Sequence, residues 1–68
     1  MDPNANLIEQ ECIIDALNDY VVPQMQAQEK TRKARLRELR HALREWLKNG
    51  GFEPDWNIAP HARKYFGR

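Results

Sequence analysis

The stretch QMQAQEKTRKARLRELRHALREWLKNGG, residues 24–51, decides the fold. From Gln24 to Lys48 it contains no proline or glycine, and Gln, Ala, Glu, Lys, Arg and Leu, all strong helix formers, dominate it. The composition predicts a helix over about 24–48, roughly 37 Å long at 1.5 Å per residue. Asn49-Gly50-Gly51 should end it, because glycine accepts the left-handed conformation of a helix C-cap. At 100° per residue, Leu36, Leu39, Leu43, Trp46 and Leu47 form one apolar stripe with Ala42 at its edge. The stripe covers only the C-terminal half. Nearer the start the same face carries Glu29 and Arg32, so that end should project into solvent or meet something charged. Glu29 and Lys33 stand at the i,i+4 spacing of a favourable ion pair.

A second row runs along the same helix. Lys30, Lys33, Arg37, Arg40, Arg44 and Lys48 are spaced 3, 4, 3, 4 and 4 apart, which places six cations on one face, and His41 joins the same arc. Such a row suits either an acidic partner surface or the phosphates of a nucleic acid, whose contacts need positive charge at regular intervals.

Upstream, a helix is expected over about 6–21. Asn6 followed by Glu9 approximates a capping box, with Asp2-Pro3 as an alternative start. Leu7, Ile13, Ile14, Leu17, Tyr20 and Val21 fall on one broad face, for packing or a dimer seam, and Glu11, Asp15, Asn18 and Asp19 on the other. Pro23 should break the chain at 22–23 and open the long helix, a single kinked helix being the alternative. Downstream, Glu53-Pro54-Asp55 reads as a turn and Ala59-Pro60 as the start of a short helix to about residue 66. Phe52, Trp56, Tyr65 and Phe66 make this tail aromatic, and it should fold back over the Leu/Trp stripe, with Phe52, Trp56 and Phe66 filling a small core. Trp46, Trp56, Tyr65 and Phe66, with Arg63 and Lys64, are also the residue types that dominate protein interfaces, or that stack on unpaired bases.

The expected architecture is therefore all-α: one domain, residues 1–68, built as a helical hairpin of a short acidic and a long basic helix with a short aromatic-rich C-terminal segment. At 68 residues, 41% apolar and 31% charged, the chain is too apolar for disorder. A domain this small buries only about 60% of the surface its unfolded form exposes. A homodimer, with helix one or the Leu36–Leu47 stripe as its seam, is the expected way to close the core.

The charge is segregated. Residues 1–29 carry Asp2, Glu9, Glu11, Asp15, Asp19 and Glu29 with no Lys or Arg. Residues 30–48 carry eight cations against Glu38 and Glu45, and the whole chain sums to +1. Either the two segments satisfy each other or each faces a partner.

Several chemistries drop out. The chain has no serine and a single threonine, Thr31, which removes serine nucleophiles. Cys12 is alone, so no intramolecular disulfide forms, and it should be a buried, inert thiol in a reducing, cytoplasmic setting. Cys12, His41 and His61 lack metal-ligand spacing, and no glycine-rich phosphate loop exists, so neither cofactor nor small-molecule substrate is expected. Apolar runs never exceed three residues, far short of a membrane span, and the first 29 residues lack the cations of a secretory leader. The expected function is a non-enzymatic protein–protein interaction module. It would be a regulator or inhibitor, of the size and style that phages and mobile elements encode, docking on a larger host or cellular protein. A nucleic-acid-binding protein using the basic row is the alternative, and a helical subunit of a larger assembly the third reading.

Overall fold

The computed structural model describes residues 1–18 and 26–68, with the side chains of 26–29 outside that description. The described chain is mostly helical and contains no strand: α1 (Pro3–Asn18), α2 (Gln26–Lys48), a short 3-10 turn (Trp56–Ile58) and α3 (Pro60–Tyr65). No helix among the described residues is long and apolar enough to cross a membrane.

The start of α1 differs from the capping box at Asn6. Asp2 is the cap: its Oδ1 accepts from the backbone N–H of Asn4 (3.0 Å) and Ala5 (3.3 Å), with Pro3 in the first turn where its missing N–H costs nothing. Asn6 is instead buried, donating to the Leu39 carbonyl of α2 at 3.1 Å and accepting from Gln10 Nε2 of the next turn. Pro3, Asn6, Leu7 and Gln10 are the buried residues of α1, while Ile13, Ile14 and Leu17 are half-buried. The inner face is thus rotated toward polar positions. Cys12, expected to be buried, is exposed as a result. The proposed break at 22–23, and the packing positions Tyr20 and Val21, lie outside the described residues, as does the Glu29 side chain of the Glu29–Lys33 pair.

α1 and α2 run in opposite senses where they touch. Asn6 meets Leu39, and one turn further along α1 Glu9 meets Arg35, one turn earlier in α2. The Glu9–Arg35 pair is two-pronged, at 2.7 and 3.3 Å, and Arg35 also reaches Glu38 at 3.4 Å. The Arg35 hydrogen bond holds the Glu9 carboxyl below its ordinary value. With both partners about half exposed, the pair fixes register more than it adds stability.

The stripe on α2 is core. Leu43 is fully buried and Leu36 and Leu39 nearly so. Leu7, Leu43, Ala59 and Ala62 form the centre, and Ile14, Trp46, Leu47, Trp56 and Phe66 close around it. The tail therefore folds back on the stripe. Phe52 departs from expectation: it is 64% exposed and stands edge-to-face with Trp46, at a centroid distance of 5.5 Å. Its backbone is what matters, because Trp46 Nε1 donates to the Phe52 carbonyl at 2.9 Å. α2 ends in a Schellman motif, with Gly51 N–H donating to Trp46 O (2.8 Å), Gly50 N–H to Leu47 O (3.2 Å), and Gly50 at φ +89°.

Candidate functional site

Two clusters of polar side chains need an account. The first lies between α1 and the tail. Both oxygens of Glu11 accept from the backbone N–H of His61 (2.9 and 3.1 Å), and Oε2 also accepts from Ala62 N–H at 3.1 Å. The His61 Nδ1 stands 2.8 Å from Glu11 and 3.3 Å from Asp15. Asn4 does similar work nearby, its Oδ1 accepting from Asp55 N–H at 2.7 Å. α3 opens on Pro60 with no cap side chain of its own, since Ala59 sits at that position. A carboxylate of α1, fifty residues away, satisfies the free N–H groups instead.

Glu11, Asp15 and His61 bring three potential metal ligands within 4.8 Å of one another. The geometry is that of a cap, because the Glu11 oxygens are engaged by backbone donors. Burial alone would raise the Glu11 carboxyl. The hydrogen bonds from His61 and Ala62 outweigh it and hold the group below its ordinary 4.5. A carboxylate whose value is depressed on folding adds stability that is complete above the unfolded value of 4.5. That stability is lost as pH falls through the lower folded value. Thermal stability should therefore drop as pH is lowered below about 4.5. Glu11→Gln should melt lower at neutral pH and show a shallower acid decline. Identical acid slopes for the two proteins in pH-dependent melts would remove Glu11 from this role.

The second cluster is the basic face of α2, and α3 shapes it. Tyr65, at the end of α3, places its ring against Arg40, whose guanidinium carbon is 3.9 Å from the ring centroid, and its hydroxyl accepts from Arg44 Nη2 at 2.6 Å. Arg44 also lies 5.3 Å from the ring centroid. A cation over an aromatic face is held by the ring quadrupole, so both arginines are oriented. Beside them opens a groove of about 380 Å³, lined by Lys33, Leu36, Arg37, Arg40, His41, Arg44 and Tyr65, with no carboxylate among them. The Nε of Arg40 is buried and has no hydrogen-bond acceptor among the described residues.

The described carboxylates of α1 turn elsewhere than to Arg37, Arg40 and Arg44. Glu9 is engaged by Arg35, which is not in the row, and Glu11 and Asp15 turn to the tail. Asp19 lies outside the described residues. Among the described residues no carboxylate pairs with Lys30, Arg37, Arg40, Arg44 or Lys48.

The structure thus gathers Lys33, Arg37, Arg40 and Arg44 at one groove and leaves Lys30 and Lys48 at the two ends of the row. It separates the tail residues. Trp56 and Phe66 pack on the core, 5.4 Å apart. Arg63 bonds Arg68 O and Asn57, and Lys64 is exposed. Only Tyr65 joins the cationic face. What sequence reasoning missed is that Tyr65 organises the arginines, and that Asn4 and Glu11 anchor the tail. Tyr65 falls on a helix of six residues, too short for a periodicity to reveal its facing. Comparison with known proteins finds no matching family model, no similar curated protein and no similar solved structure.

Proposed function

We propose that this chain is a non-enzymatic docking module, a regulator or inhibitor that binds a larger protein through the basic face of α2. The observation that supports it most is the Arg40–Tyr65–Arg44 arrangement: two oriented guanidinium groups beside a groove with no carboxylate among its described lining residues, and with no carboxylate partner among the described residues. Tyrosine and arginine are enriched among the residues that carry interface energy, and orienting them beforehand lowers the cost of binding.

A parallel comparison tests the reading. The triple change Arg37→Gln, Arg40→Gln, Arg44→Gln should leave the far-ultraviolet circular dichroism unchanged and abolish retention of a partner protein that the unaltered chain captures from cell extract. The same captured proteins with both chains, or capture of nucleic acid alone, would remove it.

The nucleic-acid reading keeps one observation in its favour, the length of the row: Lys30 to Lys48 spans about 27 Å at 1.5 Å per residue. Duplex binding through about six phosphates would weaken on the order of a thousandfold between 50 and 200 mM salt. Base stacking on Tyr65 is disfavoured, since one face of its ring is covered by Arg40. A twofold dimer also belongs to the proposal. Leu36, Leu39 and Leu43 are closed off within one chain, so its seam would use other surface. Sedimentation equilibrium giving a monomer mass at high concentration would eliminate it.

A further inference from the structure

We infer that the groove beside Tyr65 is a receptor for paired carboxylates, and that its occupant is an acidic amphipathic helix of a partner protein, with two carboxylates one turn apart that meet Arg40 and Arg44. This rests on the protein-docking reading above and names the chemistry of the partner.

Four features of the groove converge on that occupant. The first is pitch. Arg40 and Arg44 are four residues apart on one helix, about 6 Å along its axis. Glutamates at i and i+4 of a second helix repeat the same interval, so two such helices can be matched charge for charge without bending either. The second is preorganisation. Arg40 is fixed over the Tyr65 ring at 3.9 Å and Arg44 by the 2.6 Å bond to the Tyr65 hydroxyl, so little side-chain freedom remains to be lost on binding. A guanidinium offers five donors in a planar fork that fits a carboxylate two-pronged. In Arg44 one of these is engaged by Tyr65, and in Arg40 the buried Nε has no acceptor among the described residues.

The third feature is the mixed lining. The half-exposed Tyr65 ring, with the small accessible edge of Leu36 beneath it, supplies apolar wall beside the cations, which calls for an apolar side chain next to the acids rather than a bare polyanion. The fourth is size. About 380 Å³ admits a few side chains, at the low end of the range for enclosed ligand sites, and a duplex would pass over it. A net charge of only +1, with an acidic helix on the same small body, also gives little long-range pull on a polyanion. Recognition then has to come from short-range fit.

The described acids of α1 do not supply the occupant. Glu11 and Asp15 have the right spacing, but they hold the His61 ring and the backbone of α3, and Glu9 holds Arg35. A second copy offering its α1 would have to give up the contacts that keep its tail in place.

The test uses the full chain, labelled with nitrogen-15, and follows the Arg Nε–H and backbone amide signals during titration with three probes. These are a short synthetic helical peptide with Glu at i and i+4 and Leu between them, the same peptide with Gln for Glu, and a short DNA duplex. The Glu peptide should move the signals of Arg40, Arg44 and Tyr65 while those of Lys30 and Lys48 stay in place, and the Gln peptide should bind at least about tenfold more weakly. Arg44→Lys keeps the charge but loses the planar fork, and should weaken the Glu peptide about tenfold with the fold unchanged. Tyr65→Phe, which frees Arg44 without removing any charge, should weaken it a few-fold.

Peptide binding that moves other parts of α2 and spares Arg40 and Arg44 overturns the groove while leaving a docking role for the helix. Duplex binding that moves the whole row from Lys30 to Lys48, and that the Glu peptide does not displace, overturns the acidic helix in favour of nucleic acid. No change with any probe overturns both the groove and the docking role of this face.

Discussion

Leu43→Ala should cost about 3 kcal/mol or more and bring the protein to the edge of unfolding at room temperature. Leu43 is fully buried at the middle of the core, against Leu7 from α1 and Ala59 and Ala62 from the tail. Truncating it removes the apolar contact and leaves a cavity that three separate segments line. Buried Leu→Ala changes cost about 2.7–5 kcal/mol when the walls cannot collapse. A chain of 68 residues holds only about 3–10 kcal/mol in all. Two of its neighbours are alanines, whose short side chains cannot extend into the space. Urea titration should show the midpoint falling steeply or the folded baseline disappearing. Leu47→Ala, at a half-buried position on the rim, should cost clearly less. Equal costs for the two would mean that the core is not centred on Leu43.

Gly51→Ala is the second large effect, and it reverses the usual ranking of a helix-ending glycine pair. Gly50 has the left-handed backbone, φ +89°, yet open space surrounds the position a side chain would take. Gly50→Ala should therefore cost about 1–2 kcal/mol from the backbone alone. At Gly51 the added methyl group would fall inside the indole of Trp46, which lies directly against that backbone. The ring must swing away, and the Trp46–Phe52 carbonyl bond, the edge contact with Phe52 and the cover over the core are lost together. Overpacking of this kind costs about 1–3 kcal/mol, and a broken hydrogen bond adds about 1 kcal/mol. Thermal melts should rank Gly51→Ala below Gly50→Ala, and tryptophan emission should shift to the red for Gly51→Ala only. The opposite order would mean that the indole packs elsewhere.

These two sites show how legible the fold was. Leu43 stands out in the sequence because it belongs to an uninterrupted 3,4-spaced stripe, and the helix end at Asn49-Gly50-Gly51 is a local signal. α2, observed over Gln26–Lys48, follows its expected course closely, and α3 opens at Pro60 as the Ala59-Pro60 pair suggests. α1 was harder. Its large aliphatic residues begin at Leu7, but its inner face starts at Pro3 and includes Asn6 and Gln10, which a hydrophobicity pattern assigns to solvent. Asn6 is buried because a carbonyl of α2 and a neighbouring glutamine satisfy it, and such pairings depend on tertiary position. The cationic row was visible from spacing alone. Which of its members are oriented was not, because Tyr65 approaches from a segment twenty-one residues beyond Arg44. The destination of the acidic residues was equally hidden: Glu11 serves backbone N–H groups fifty positions away, and nothing in the local sequence of either segment announces it.

That last arrangement links regions that do not touch. Tyr65 steadies Arg40 and Arg44 only while α3 is in place, and α3 is held by the packing of Ala59 and Ala62 in the core, by Glu11 at its first turn and by Asn4 on the approach to it. No residue of α1 lines the groove. The helix nonetheless sets how often the groove exists in its organised form, and by thermodynamic reciprocity whatever occupies the groove must stabilise α1 in return. Occupancy at one side of the molecule and order at the other are a single equilibrium.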